Sequence, residues 1–301
     1  MIFLAKKRSI SESITHFFEK NHVLKHGLRK ILHSSKIIFH IIMNFSAIYT
    51  IWERELIRYW RDRIRIVTTL IQPLMFLAIF GTGLRSALAS SSLGVDFLKF
   101  MYPGIIAVNV MGVAFFSTIS TVWDREFGFL KEILVAPVSR TSIVLGKILG
   151  ATTIAATQAF LLLALAPLIG VSLHLSIIPE LFLFMLLLAF TISGLGLLIA
   201  SLLKSLESFG LLMQLLILPM FFLSGAFFPL TNVPGWMKFL SAINPLSYGV
   251  DAMREMMLRS QIPQAEIAKI ILRGPAANAM YLIFFSIILV SAAVVAFNRR
   301  N

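Results

Sequence analysis

Three carboxylates crowd one short stretch of the chain, Asp124, Glu126 and Glu132 in the run WDREFGFLKEILVAPVSR. Paired acids suit general acid and base work when their surroundings hold one protonated and the other ionised. Here each has a basic neighbour, Arg125 or Lys131, and the run supplies neither a nucleophile nor a pocket, so no catalytic residue is expected. Metal binding is no better provided for. Cysteine is absent, His16, His22, His26, His33 and His40 are scattered through a basic leader, and His174 stands alone. No phosphate-binding G-x-x-x-x-G-K-[ST] loop occurs; Gly146-Lys147 is the nearest fragment and lacks the upstream glycine and the following Ser or Thr. The chain is therefore expected to be no enzyme and to hold no metal or cofactor of its own. Energy for any active process must come from another polypeptide.

The elements that carry these residues belong in a bilayer. Of 301 residues 58% are hydrophobic and 14% charged, with a mean hydropathy of +0.87. The excess of 27 Lys and Arg over 14 Asp and Glu would point to nucleic acid in a soluble protein. In a membrane protein it marks cytoplasmic loops, and no nucleic acid is expected. A crossing takes roughly 20 apolar residues at 1.5 Å each, and six stretches qualify: 66–84, 103–122, 143–169, 178–203, 208–226 and 278–297. Threaded alternately, they leave Arg85, Lys99, Lys238, Arg254, Arg259, Lys269 and Arg273 on one side and the remaining basic residues on the side of the N-terminus. That bias predicts both termini in the cytoplasm. Residues 1–44 read as a basic cytoplasmic leader, because the apolar run from Ile37 to Met43 is broken by His40, lacks a small-residue cleavage site and lies far from Met1.

Three features exceed plain spans. In residues 45–63, Phe45, Ile48, Tyr49, Trp52, Leu56 and Tyr59 recur at helical spacing opposite Arg54, Arg58, Arg61 and Arg65, which predicts an interfacial helix. Its simplest role is that of a membrane-surface anchor. In the loop 123–142, Phe127, Phe129, Leu130 and Ile133 alternate with charges up to Pro137, which predicts a short amphipathic helix on the inner face. After span five, Pro229, Pro234, Gly235 and Pro245 forbid one straight helix, while Phe227, Phe228, Leu230, Trp236 and Phe239 are too apolar for a solvated loop. A re-entrant hairpin, followed by a short outer helix from Tyr248 to Arg259 within 227–273, answers both. Small residues such as Gly146, Gly150, Ser193, Gly194 and Gly196 read as close helix packing. The polar residues inside the spans, Gln72, Asn109, Gln158 and Gln214, are neutral and either line a cavity or join helices. The lack of charge at mid-span argues against an ion-coupled carrier.

The order of these parts, with WDREFGFLKEILVAPVSR followed by LGK and then FLSGAFFPL and INPLSYGVDAMRE, resembles the membrane subunit of type-2 ABC exporters, including the bacterial drug-resistance and nodulation-factor branch. The resemblance covers about residues 46–300, and the leader 1–44 departs from the pattern. It implies an all-α integral membrane domain over 64–300, with six transmembrane helices, an N-terminal interfacial helix and a re-entrant outer hairpin between spans five and six. It also implies a contact with a separate ABC ATPase, which binds ATP and Mg, through Asp124, Arg125, Glu126, Phe127, Gly128, Phe129, Leu130, Lys131 and Glu132, and more loosely through Glu53, Arg54 and Arg58. Two ATPases and a second permease subunit, in a homodimer in the prokaryotic inner membrane, belong to the same expectation. So do an outer gate at Phe227, Phe228, Pro229, Trp236, Asn244 and Pro245, and a substrate path near Gln72, Asn109 and Gln214 for a drug, lipid or glycolipid leaving the cytoplasm or inner leaflet. The competing readings are a secondary carrier and a non-transporting assembly or sensory protein that works through its leader.

Overall fold

The computed structural model describes residues 45–88, 97–135, 138–171, 174–259 and 261–300, and the predicted leader 1–44 lies outside them. The chain divides into two units, Met1–Ala47 and Ile48–Asn301. Of the first, only residues 45–47 are described, as the start of a helix. The described residues of the second form helices and their connections, with no strand among them.

Helix α1 covers residues 45–61. It ends because the Asp62 carboxylate accepts the Arg65 amide at 3.1 Å and caps the next helix. The predicted stripe of four arginines is thereby split, with Arg54, Arg58 and Arg61 on α1 and Arg65 on α2. There follow α2 (Arg63–Leu88), α3 (Phe97–Glu126), α4 (Phe129–Val135), α5 (Arg140–Ala164), α6 (Ile178–Leu202), α7 (Leu206–Phe222), α8 (Gly235–Ile243), α9 (Pro245–Leu258), α10 (Gln264–Ile270) and α11 (Pro275–Arg300).

Among the described residues five helical stretches are long and apolar enough to cross a membrane: Arg63–Phe80, Phe97–Glu126, Arg140–Ala164, Leu175–Leu202 and Glu266–Arg299. The fifth predicted span, 208–226, is a helix of 17 residues, Leu206–Phe222. It stops early because Gly225 takes a φ of 79°, a left-handed conformation that turns the chain away, while the Leu223 amide closes back on the Pro219 carbonyl at 2.9 Å.

Helices α3 and α6 form the centre, packing on each other and both on α5, while α11 covers the far side of α6. In the most apolar 18-residue window of α3 72% of residues are buried, against 11% over Arg63–Phe80 of α2. Both α2 and α7 lean chiefly on α3. Small residues set the close approaches, as their spacing predicted. A Cβ on Gly196 of α6 would come within 2.7 Å of Thr118 Oγ1 on α3. Hydroxyls supply the polar joints, as where Thr191 of α6 meets Ser286 of α11 at 2.7 Å.

Gly196→Val should therefore wedge α3 from α6, at a cost of ~1–3 kcal/mol. Thermal unfolding of the detergent-solubilised protein checks it: the midpoint should drop for Gly196→Val and hold for Gly210→Ala, whose Cβ meets nothing.

Candidate functional site

The end of the bundle where α1, α3, α4 and α5 meet is organised around three buried charges, Glu55, Asp124 and Lys147, and the half-buried Arg54. Helix α1 reaches α5 because two glycines let it. A Cβ on Gly146 would lie 2.8 Å from Ile51 Cβ, and one on Gly150 2.8 Å from Glu55 Cβ. The Trp52 indole then donates to Thr153 Oγ1 at 3.0 Å. This close seating makes α1 part of the bundle as well as a candidate surface helix.

It also delivers Glu55 and Arg54 to Asp124, in the last turn of α3, and Lys147, in the second turn of α5. Lys147 Nζ lies 2.6 Å from Asp124 Oδ2 and 3.3 Å from Glu55 Oε1. Arg54 Nη2 lies 2.7 Å from the same Asp124 oxygen and 2.9 Å from Glu55 Oε1. Lys147, Glu55 and Asp124 side chains are 1%, 5% and 7% exposed, so water contributes almost nothing to their solvation. Two cations answer two anions, and Arg58 stands 3.8 Å from Asp124 Oδ1 at the rim. Burial alone would push the Glu55 carboxyl up, but the Lys147 ammonium and then the Arg54 guanidinium outweigh it and hold the carboxyl below its ordinary value.

Helix α3 runs four residues past its predicted end, so Asp124, Arg125 and Glu126 belong to it and precede the inner-face helix. Arg125 Nη1 donates to the carbonyls of Ala200 and Ser201, each at 3.1 Å, and of Leu203, closing the C-terminus of α6. Glu126 Oε2 accepts the Leu206 amide at 2.9 Å and caps α7. Gly128, at φ 80°, makes the corner into α4. Beyond it Leu130 is buried at 3%, Phe127 is 77% exposed, and Phe129 and Glu132 are exposed as well. The Lys131 side chain lies outside the described residues.

Phe127 and Phe129 border a shallow concavity of about 630 Å³, together with Glu53, Arg54, Arg58 and Trp123. Arg54 stacks 5.3 Å from the Phe129 ring and Arg58 4.7 Å from Trp123. The two separate sets of predicted coupling residues thus meet on one surface. Lys147 and Glu55 were missed; the available signal was a lysine flanked by two glycines at the head of an apolar helix.

A second site lies between α2, α3 and α7, a cleft of about 340 Å³. Thr69, Gln72 and Asn109 line it, as do Phe76, Phe221 and Phe227. Phe227 lies 5.3 Å from Phe76 and 4.6 Å from Phe221 between ring centres. Gln214, predicted beside Gln72 and Asn109, sits instead on the exposed face of α7. Gln158 lies elsewhere, donating to the Tyr59 hydroxyl.

Of the predicted outer residues, Phe228 and Pro229 are half-buried and Trp236 is 63% exposed on α8. Asn244 joins α8 to α9. Its Oδ1 accepts the Leu246 amide at 3.0 Å, its Nδ2 donates to the Met220 carbonyl at 2.8 Å, and Pro245 opens α9. Helix α9, expected as a plain outer helix, is almost wholly buried. Its Arg254, expected only as one of the basic residues on the outer side, donates to the carbonyls of Gly225, Ala226 and Phe100 at 2.7, 3.1 and 3.3 Å. Asp251, one turn earlier, accepts the amides of Leu272 and Arg273, each at 2.9 Å.

Known proteins resemble this chain in sequence. The ABC-2 type transporter family model matches residues 46–258. A putative transport permease, ycf38, of Cyanophora paradoxa is 31% identical over 213 residues, covering 69% of this chain and 73% of that protein. Nodulation protein J of Rhizobium meliloti (strain 1021) is 30% identical over 216 residues, 70% of this chain and 81% of its own. The probable multidrug ABC transporter permease YbhR of Escherichia coli (strain K12) is 30% identical over 170 residues, 55% of this chain and 45% of YbhR.

Removing one member of the buried cluster strands its partners. Lys147→Met should cost ~3–5 kcal/mol, and adding Glu55→Gln to it should recover part of the loss, both read from thermal unfolding. The acid profile has a definite sign. A carboxyl held below its ordinary value stabilises the fold above that value and loses its contribution as pH falls through and below it. The unfolding midpoint should hold from roughly pH 7 to 5 and fall beneath the ordinary carboxylate range. Glu55→Gln should start lower and fall less.

Proposed function

The chain belongs to the ABC-2 type transporter family and is a multi-pass transport permease of the membrane, and from that premise we propose that it is the membrane subunit of an ATP-driven exporter of amphiphilic substrates. ATP and Mg act on a separate ABC ATPase, present in two copies, and no catalytic step occurs on this chain. The observation that carries the reading is the concavity beside α1 and α4. Two exposed aromatic rings, Phe127 and Phe129, stand there among arginines of α1, the helix tied by buried charges to α3 and α5. Rigid aromatic anchors with arginine are what a strong protein contact uses. Force applied at Phe127 would pass straight into the last turn of α3, where its amide is held by the Trp123 carbonyl at 3.0 Å, and force at Phe129 would reach α3 through the Gly128 corner.

The same reading makes α7 the sixth crossing. Its 17 residues reach about 25 Å, and the apolar turn after it extends that length. Helices α8 and α9 then form the re-entrant hairpin, with Trp236, Phe239, Leu240 and Ile243 turned to the outer leaflet, and both termini lie in the cytoplasm of a prokaryotic inner membrane. A homodimer is favoured by the exposed face of α7, where Gln214 stands between the exposed Leu211 and Leu215. An exposed amide is a poor neighbour for lipid and a good one for another helix.

Copurification with the ATPase encoded beside it, followed by ATP hydrolysis and transport in proteoliposomes, tests the assignment. Phe127→Ala with Phe129→Ala should cut coupled hydrolysis at least ~tenfold, since two interface anchors are removed, without moving the unfolding midpoint of the isolated chain. Unchanged assembly and coupling in that variant would remove the concavity from the mechanism.

A further inference from the structure

The cleft between α2, α3 and α7 has a chemical polarity that selects its occupant. None of its lining residues is ionisable. On α2, Thr69 and Gln72 lie about 9 to 14 Å along the axis from Arg63, whereas Phe76 lies about 20 Å along it. Asn109 stands level with Thr69, because its Nδ2 donates to the Thr69 carbonyl at 3.0 Å. The cleft therefore has a neutral polar band nearer the end of α2 predicted to face the cytoplasm. Phe76, Phe221 and Phe227 gather beyond it on the outer side, and Phe116 stands at the inner edge.

The band is also unfinished. Asn109 is 9% exposed, and with its amide nitrogen committed to Thr69 its Oδ1 is left buried without a hydrogen-bond partner. A buried acceptor without a donor is a standing cost that a ligand can remove. A charged headgroup would be stripped of water here with no counter-ion in the wall. A hydroxyl would give Asn109 the donor it lacks, and Gln72 offers both a donor and an acceptor beside it.

We propose that this cleft binds an uncharged amphiphile with a hydroxyl-bearing headgroup, seated at Asn109 and Gln72 with its apolar chain against Phe76, Phe221 and Phe227. A lipid drawn from the inner leaflet already carries its head on the cytoplasmic side and its tail toward the midplane, so it enters in the orientation the cleft requires. At about 340 Å³ the space holds the headgroup and the first part of a chain. The remainder of the chain lies along the exposed apolar side chains of α2, Ile71, Met75 and Ile79. The inference rests on the permease reading above.

The test uses the full chain in phosphatidylcholine nanodiscs, without ATPase. It is titrated with monoglucosyl diacylglycerol and, separately, with phosphatidylglycerol of the same acyl chains, and binding is counted by native mass spectrometry. The glucosyl lipid should bind at least ~tenfold more tightly, and Asn109→Leu should reduce that preference to about twofold while leaving phosphatidylglycerol unaffected, as expected for one lost hydrogen bond. Equal affinities in the unaltered chain, or a preference that survives Asn109→Leu, would overturn the proposal. Because Asn109 also braces α2, Gln72→Leu carries the test if the first variant unfolds. A reduced preference then supports the site and an undiminished one removes it. Coupled hydrolysis without lipid preference would sink the cargo assignment alone, whereas lipid preference in a chain that never assembles with an ATPase would sink the transport reading alone.

Discussion

Three charges shut away from water, and a half-buried arginine that answers them, hold one end of this protein together. Each carries a large desolvation penalty, and the set is tolerable only when every charge has its opposite at contact distance. Lys147 meets that condition with Asp124 at 2.6 Å and Glu55 at 3.3 Å, and Arg54 bridges the same two carboxylates. The charges come from three different helices, so α1, α3 and α5 share a single electrostatic register. No one of them can slide by a turn without stranding a charge. Gly146 and Gly150 are a precondition, because a side chain at either would hold Glu55 out of reach of Lys147. The rim residues extend the same lock to the surface, through Arg54 on Phe129 and Arg58 on Trp123.

The opposite end of α3 is secured by different chemistry. Arg254 is fully buried, and its guanidinium is held by three carbonyls and the face of Phe100, 3.9 Å away. The carbonyls it holds belong to the start of α3 and to the Gly225 turn after α7, so α9 is pinned to both. Asp251 meanwhile takes the amides that open the approach to α11. With both ends fixed, α3 is a braced column. Helices α2 and α7, which lean chiefly on that column, have the freest packing among the long helices, and the neutral cleft opens between all three.

That division explains what could and could not be read along the chain. Length and hydropathy located the long helices, because lipid exposure and core burial both demand apolar side chains. The ends were harder. Asp124, Arg125 and Glu126 have the composition of a loop, yet they extend α3 because each finds a partner inside: the ion cluster, the end of α6 and the start of α7. Lys147 resembled a fragment of a phosphate loop, and its partner Glu55 lies 92 residues away, a separation over which sequence pattern says nothing. Gln72 and Gln214 are alike in composition and neighbourhood, but helix phase puts one in the cleft wall and leaves the other facing out. Arg254 counted as one more basic residue of an outer segment, although it is among the largest fully buried side chains described. In each case the missing information was a long-range partner.

The charged lock and the neutral cleft are joined by α3, since Asp124 and Asn109 stand 15 residues apart on one unbroken helix, about 22 Å along its axis. A helix buried along most of its length moves as a rod, because bending it would break close packing with α5 and α6 at once. Under the proposed function, displacement at Phe127 and Phe129 therefore reaches Asn109 as rotation or translation of the whole column, with α1 and α5 carried along by the shared charges. Helices α2 and α7 lack that bond to the column, so relative motion should concentrate at the cleft. A cargo held by Asn109 on the column and by Gln72 and Phe221 on its loosely packed neighbours would then feel its site come apart as the column moves, a geometry suited to release and independent of any charge on the cargo itself.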